Sequence, residues 1–318
     1  MASEPQPAVS SPGGSGAGTL FTLLAALGFA AVSTLTSIAT GQGVSLPVVL
    51  MWRYVIGAVV MVTFVATRNY PRMPWREAVR FIVLGGGGQA LLVGMALSSL
   101  KYITVATLAF LFYTYPAWVT LVQTIRGAEP LTRRRVAALA LSFGGIVVIV
   151  GAPFGGGAAA AASTAGIATS VTTLAWTGIA LALGAAVVYG MYIPLMLWMQ
   201  KSHPVAVTSA YAKIGSAFCF LLLALKDQTL TASLTSTAWM AIVALALFST
   251  VLPSVFFLMG LMRLGPVRTA IVSTVEPFLT AILGALVLRQ AITADSLIGG
   301  AMIVAAVVVL QFRRERVA

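Results

Sequence analysis

About ten apolar runs of roughly twenty residues fill this chain, and few charges interrupt them. A run of that length crosses the hydrocarbon core of a bilayer as a helix, at a rise of about 1.5 Å per residue. Backbone polar groups in lipid must be satisfied within the spanning structure, which leaves helices or closed barrels. The runs do not alternate apolar and polar residues as barrel strands do, so the expected fold class is an all-α polytopic membrane protein. Of the 318 residues 59% are hydrophobic and 8% charged, far below the roughly 25% charge of soluble domains. Cys219 is the sole cysteine, which excludes an intramolecular disulfide and a cysteine-built metal site; no cofactor is expected.

The ten spans are expected to begin near Thr19, Pro47, Glu77, Ile103, Thr132, Thr173, Pro204, Ser236, Pro266 and Thr293, the eighth ending near Met262. Residues 1–18 form a Ser/Pro/Gly/Ala tail with one charge, Glu4, and are expected to be disordered and cytoplasmic. They lack the basic segment of a signal peptide, so the run that follows is read as a retained helix. Residues 152–172 are Gly/Ala/Ser-rich and uncharged, a periplasmic linker between two halves, 19–151 and 173–312; residues 313–318 are a basic cytoplasmic tail. The net charge of +12 reflects basic loops facing anionic lipid rather than nucleic acid, which is not an expected partner. With the N-terminus inside, Arg68, Arg72, Arg76, Arg80, Arg126, Arg133, Arg134, Arg135, Lys201, Arg263, Arg268, Arg313, Arg314 and Arg316 are all cytoplasmic. Only Lys101, Lys226 and Arg289 fall outside, a bias that places both termini in the cytoplasm.

Shifted by 161 residues, Pro277 falls on Pro116, Thr293 on Thr132 and Val309 on Val148. The shared layout is a long apolar run, a proline midway, a charged break and a second apolar run. It implies one five-helix unit written twice. Five is odd, so the second unit enters the membrane the other way up, which predicts ten helices in two inverted repeats.

Several motifs sit at matching places in the two halves. Leu264-Gly-Pro-Val-Arg-Thr-Ala-Ile-Val-Ser-Thr-Val-Glu-Pro277 precedes Gly299-Gly-Ala-Met-Ile303; Gly127-Ala-Glu-Pro-Leu-Thr132 precedes Gly144-Gly145; Trp52-Arg53-Tyr54 stands near the start of the second span. In these motifs the chain resembles the drug/metabolite transporter superfamily, in its ten-helix EamA-type branch. The resemblance covers both halves, with one departure: Gln290 stands where the second repeat usually carries a glutamate. It implies transport, often export, of a small-molecule substrate, the cargo ranging across amino acids, other metabolites and drugs.

Three charged side chains lie well inside the spans: Glu276 at about mid-membrane, Lys213 at roughly 13 Å and Arg53 at roughly 9 Å from the nearer surface. Such charges persist where they pair or line a wet path, so Glu276 and Lys213, at one depth, are either a static pair or part of a site for substrate or protons. Gln89, after the glycine run 85–88, is a polar wall candidate, while the glycines themselves suit close helix packing. Phe110, Tyr113 and Tyr189 are candidate ring contacts for an amphipathic solute, or else core or lipid-facing rings; spacing puts Phe110 and Tyr113 on one face and sends Phe112 and Tyr115 elsewhere. Pro116 and Pro277 each remove a backbone donor, and are either hinges for gating or fixed bends. His203 reads as a solvated loop side chain.

The expected function is secondary transport by alternating access in a bacterial inner membrane, best read as export of small metabolites such as amino acids, with protons as a candidate coupling ion. Multidrug or cation efflux is the alternative. An intramembrane lipid-modifying enzyme is the distant one, since Asp227 and Asp295 stand alone and no Asp/His/Ser cluster accompanies them. The chain is expected to act as a monomer or homodimer amid membrane lipid.

Overall fold

The computed structural model describes residues 14–68, 70, 73–126, 132–151, 168–199, 203–230, 234–273 and 275–311. The linker expected at 152–172 and the tail at 313–318 lie largely or wholly outside these, as do residues 1–13 of the first tail and residues 127–131. Among the described residues every regular element is helical. The helices are α1 (Gly14–Gly41), α2 (Leu46–Thr67), α3 (Trp75–Lys101), α4 (Val105–Phe112), α5 (Tyr115–Ile125), α6 (Arg133–Gly151), α7 (Ala168–Met199) and α8 (Val205–Lys226). Then come α9 (236–273, in three parts), α10 (Glu276–Leu288) and α11 (Ala294–Gln311).

Six of these are long and apolar enough to cross a membrane: Gly16–Gly41, Leu46–Thr67, Trp75–Lys101, Ala175–Met196, Ala206–Lys226 and Ser236–Phe257. Four shorter apolar stretches, Val105–Val119, Val136–Val148, Glu276–Leu288 and Ala294–Val309, accompany them. The chain is thus a multi-pass helical membrane protein. Most helices begin within a few residues of the starts expected from hydropathy. Residues 14–18, expected in the disordered tail, are the first turn of α1.

The ninth span departs most from expectation. Pro266, expected to open it, lies inside the helical stretch Leu252–Ser273, and a new helix starts at Glu276. The fourth span divides likewise, at Tyr113 and Thr114, between α4 and α5. Pro116 and Pro277 therefore sit in the first turn of α5 and α10, not at mid-helix kinks. A first-turn N–H has no intrahelical partner, so proline loses nothing there, and the missing donors leave the carbonyls of Phe112 and Ser273, four residues back, without that helical partner. The same chemistry that suggested a bend produces a break.

Two helices also widen. Residues Phe81–Gly86 of α3 and Leu247–Val251 of α9 form π-turns. In α9 the cause is close by: Pro253 has no N–H to offer the carbonyl four residues back, and the chain widens just before it.

Small residues set the packing. Gly86 of α3 lies against Gly215 of α8, Gly145 of α6 against Gly299 and Ile303 of α11, and Gly28 of α1 against Pro253 of α9. Between membrane helices there is little hydrophobic drive, so close backbone approach supplies the van der Waals contact instead. Rings fill the wider seams. Tyr54 of α2 stacks on Phe220 of α8 at 5.7 Å, and Phe21 of α1 on Phe256 of α9 at 6.0 Å.

Candidate functional site

The two interrupted helices meet at their interruptions. Tyr113, in the α4–α5 break, places its Oη 2.8 Å from the Ser273 carbonyl at the end of α9 and 3.1 Å from Glu276 Oε2 at the start of α10. Each break leaves helix-terminal groups without intrahelical partners, and side chains take them up. The Thr114 hydroxyl donates to the Leu111 carbonyl at 2.7 Å, and the Trp118 indole donates to Thr114 Oγ1 at 3.2 Å. Thr280 Oγ1 donates to the Glu276 carbonyl at 3.0 Å.

Around Glu276 the rings form a row. Tyr113 and Tyr115 lie 5.8 Å apart, Tyr115 and Tyr189 4.7 Å, Phe112 and Tyr189 5.4 Å, and Tyr189 and Tyr192 6.4 Å. Helical spacing had sent Tyr115 and Phe112 away from Tyr113. The break resets the register, so rings before and after it turn to one side. The far end, Tyr192, donates to the Gly85 carbonyl in the wide turn of α3 at 2.9 Å. Phe110 does not line this row. It is fully buried, edge-on to Phe278 at 5.3 Å and against Gly300, and supports α4 from behind.

A second polar group forms where α2, α8 and α9 meet. Arg53 Nε donates to Thr250 Oγ1 at 2.9 Å, and Thr250, in the widened turn, donates to the Leu245 carbonyl at 2.8 Å. The Arg53 guanidinium lies over the Tyr54 ring at 5.3 Å. Lys213 of α8 lies along Gly57 of α2, beside Arg53 rather than Glu276. The Lys213–Glu276 pair, one of the two readings of their shared depth, does not form among the described residues. Depth along a helix fixes height but not which way a side chain faces, and Lys213 and Glu276 share only height. Three residues past Lys213, Ser216 stands 3.4 Å from Gln89 Oε1 and donates to the Gly86 carbonyl at 3.0 Å, which puts Gln89 on the same wall.

Three contributors escaped the sequence. Gln290 Oε1 accepts the Val105 N–H at 2.9 Å and caps α4 from the far end of α10, a role that needs an acceptor but no charge. Thr250 was signalled by Pro253, whose effect on the preceding turn could have been anticipated. His203 is half-buried rather than free in a loop; it contacts Glu77 and meets Phe81 edge-on at 6.2 Å.

Apolar helices, several of them membrane-length and two interrupted where they meet at a carboxylate, define a multi-pass membrane protein built as transporters are. The chain belongs to the EamA-like transporter family, whose pattern it matches twice, over residues 16–151 and 176–312, and so to the drug/metabolite transporter superfamily. No curated protein matches it. One crystal structure of a protein superimposes with a TM-score of 0.63 at 21% identity, covering 92% of this chain and 97% of the other, a likeness of fold alone.

Proposed function

We propose that the chain is a secondary transporter that exports small metabolites such as amino acids by alternating access, with protons coupled through Glu276. The observation that carries this reading is the meeting of the two helix breaks at Tyr113, Ser273 and Glu276. Broken helices bring unpaired backbone groups and a titratable carboxylate to one interior point, where a solute and a proton can compete. The row Tyr113, Tyr115, Tyr189 and Tyr192 offers ring faces with polar tips, suited to an amphipathic solute.

The proposed architecture is ten spans in two inverted five-helix repeats, residues 19–151 and 173–312, joined by a periplasmic linker in a bacterial inner membrane. Helix partners support it: α1 packs on α9 and α3 on α7, while α2 packs on α8 and α6 on α11, as a two-fold exchange of repeats requires. Basic loops support cytoplasmic termini. A cation-efflux reading is favoured by one observation only, the carboxylate among tyrosine faces.

The test is efflux from proteoliposomes loaded with radiolabelled amino acids under an imposed pH gradient. Efflux faster than from protein-free vesicles, and steeper with the gradient, is expected. Rates equal to those of empty vesicles would defeat the export reading.

A further inference from the structure

Nineteen basic residues are present in the chain, and among those whose burial is described only Arg53 and Lys213 are buried. Those two lie together. Arg53 and Gly57 are one turn apart on one face of α2, about 6 Å along the axis, and the Lys213 stem crosses that face at Gly57. A Cβ on Gly57 would stand 3.5 Å from Lys213 Cδ, in ordinary van der Waals contact, so the lysine stem rests directly on the face of α2 that carries Arg53. Each side chain is only 7% exposed. Arg53 spends Nε on Thr250, while its Nη1 is buried with no hydrogen-bond partner, and the nearby Tyr54 hydroxyl is buried and unpartnered too.

No acid answers them among the described residues. Glu77 is engaged with His203 and Glu276 with Tyr113, Asp227 follows the end of α8, and Asp295 is in the first turn of α11. Two buried basic groups that repel each other and lack an anion are costly unless something arrives to neutralise them. The donors on offer are a planar guanidinium edge and an ammonium, the set that recognises a carboxylate or phosphate.

We propose that Arg53 and Lys213, with Tyr54 at the edge, form the binding site for an oxyanion group, carboxylate or phosphate, of the transported solute. This rests on the transport reading above and narrows it: the cargo is an anion or a zwitterion rather than a simple cation. Burial between α2, α8 and α9 favours a solute over a lipid headgroup as the source of the oxyanion.

The experiment uses the full chain purified in maltoside micelles and follows thermal unfolding. Probes are sodium acetate and inorganic phosphate, each against sodium chloride at equal ionic strength, with phosphatidylglycerol added to the micelles as a lipid arm. Acetate or phosphate is expected to raise the melting temperature saturably, by at least about 2 °C near saturation. Lys213→Met and Arg53→Gln should abolish the rise, whereas Arg53→Lys, which keeps the charge, should retain it at higher anion concentration. In chloride alone Lys213→Met should melt above the parent, because it removes an unpaired buried charge. A lower melting point would mean that Lys213 already has a structural partner, and would overturn the inference. So would a rise equal in parent and both neutralised variants, no oxyanion-specific rise, or a variant-sensitive rise from phosphatidylglycerol alone. Solute efflux from proteoliposomes without an oxyanion rise would sink this site and leave the transport reading intact. A rise in a protein that carries nothing would support the site and count against the transport reading.

Discussion

The Tyr113 hydroxyl lies 3.1 Å from Glu276 Oε2 and 2.8 Å from the Ser273 carbonyl oxygen, with a single proton to give. A carbonyl only accepts, whereas a carboxyl donates when it is protonated. With Glu276 protonated, both contacts are satisfied: Tyr113 donates to Ser273 and Glu276 donates to Tyr113. With Glu276 ionised, carboxylate and carbonyl compete for one proton, and the end of α9 loses its tie when the carboxylate wins. Proton binding and the link between α4 and α9 are thereby coupled at one oxygen.

Glu276→Gln retains shape and a donor, so it mimics the protonated arrangement. Stability should stay within about 1 kcal/mol of the parent, while flux in proteoliposomes becomes indifferent to the pH gradient. Flux that keeps its full response to the gradient would remove Glu276 from coupling. Tyr113→Phe deletes the shared hydroxyl and leaves buried acceptors unsatisfied, with an expected loss of about 1–3 kcal/mol in thermal or chemical unfolding.

Pro116→Ala and Pro277→Ala restore a backbone donor in the first turns of α5 and α10 and release the restraint on the residue before each. Both should slow transport more than they weaken solute binding, measured as initial flux against affinity. Parent rates in both variants would make the breaks purely architectural.

Glycine contacts give a graded stability test. A Cβ at Gly215 would collide with the Ile82 carbonyl and the Gly86 backbone, and one at Gly86 with Gly215 and the Ala212 carbonyl. Nothing stands within 4 Å of a Cβ at Gly87. Gly215→Ala and Gly86→Ala should each cost about 1–3 kcal/mol, and Gly87→Ala should be neutral or stabilising by up to about 1 kcal/mol. Equal melting temperatures across the three would refute the close α3–α8 contact.

Topology is tested by reporter fusions. One after Ala318 and one at Arg133 to Arg135 are expected to report cytoplasm, and one within residues 155–166 periplasm, from the distribution of Lys and Arg. A cytoplasmic signal from the last site would sink the inverted repeat.

Helix positions were legible in the sequence because hydropathy reports burial in lipid directly. The breaks were half legible: Pro116 and Pro277 marked the right places, but a proline alone does not say whether a helix bends or restarts. Ring directions around Tyr113 were lost with that choice, since the 3.6-residue period does not carry across a break. Glu276 stood out by depth, and its partner did not, because Tyr113 is one of five aromatics on that span. The Arg53–Lys213 neighbourhood was hidden for a different reason: it depends on the rotation of α2 against α8, which no linear pattern encodes.

A π-turn holds about one residue more than the α-turn it replaces, and passing that residue along a helix turns everything beyond it by roughly 100° and advances it by about 1.5 Å. The wide turns Phe81–Gly86 and Leu247–Val251 thus store rotation within α3 and α9. Thr250, which holds Arg53, lies in one, and the Gly85 carbonyl, which holds Tyr192, lies in the other. Tightening either turn would swing its polar contact off the wall and turn the helix beyond it by the same angle, a ratchet of single-residue pitch.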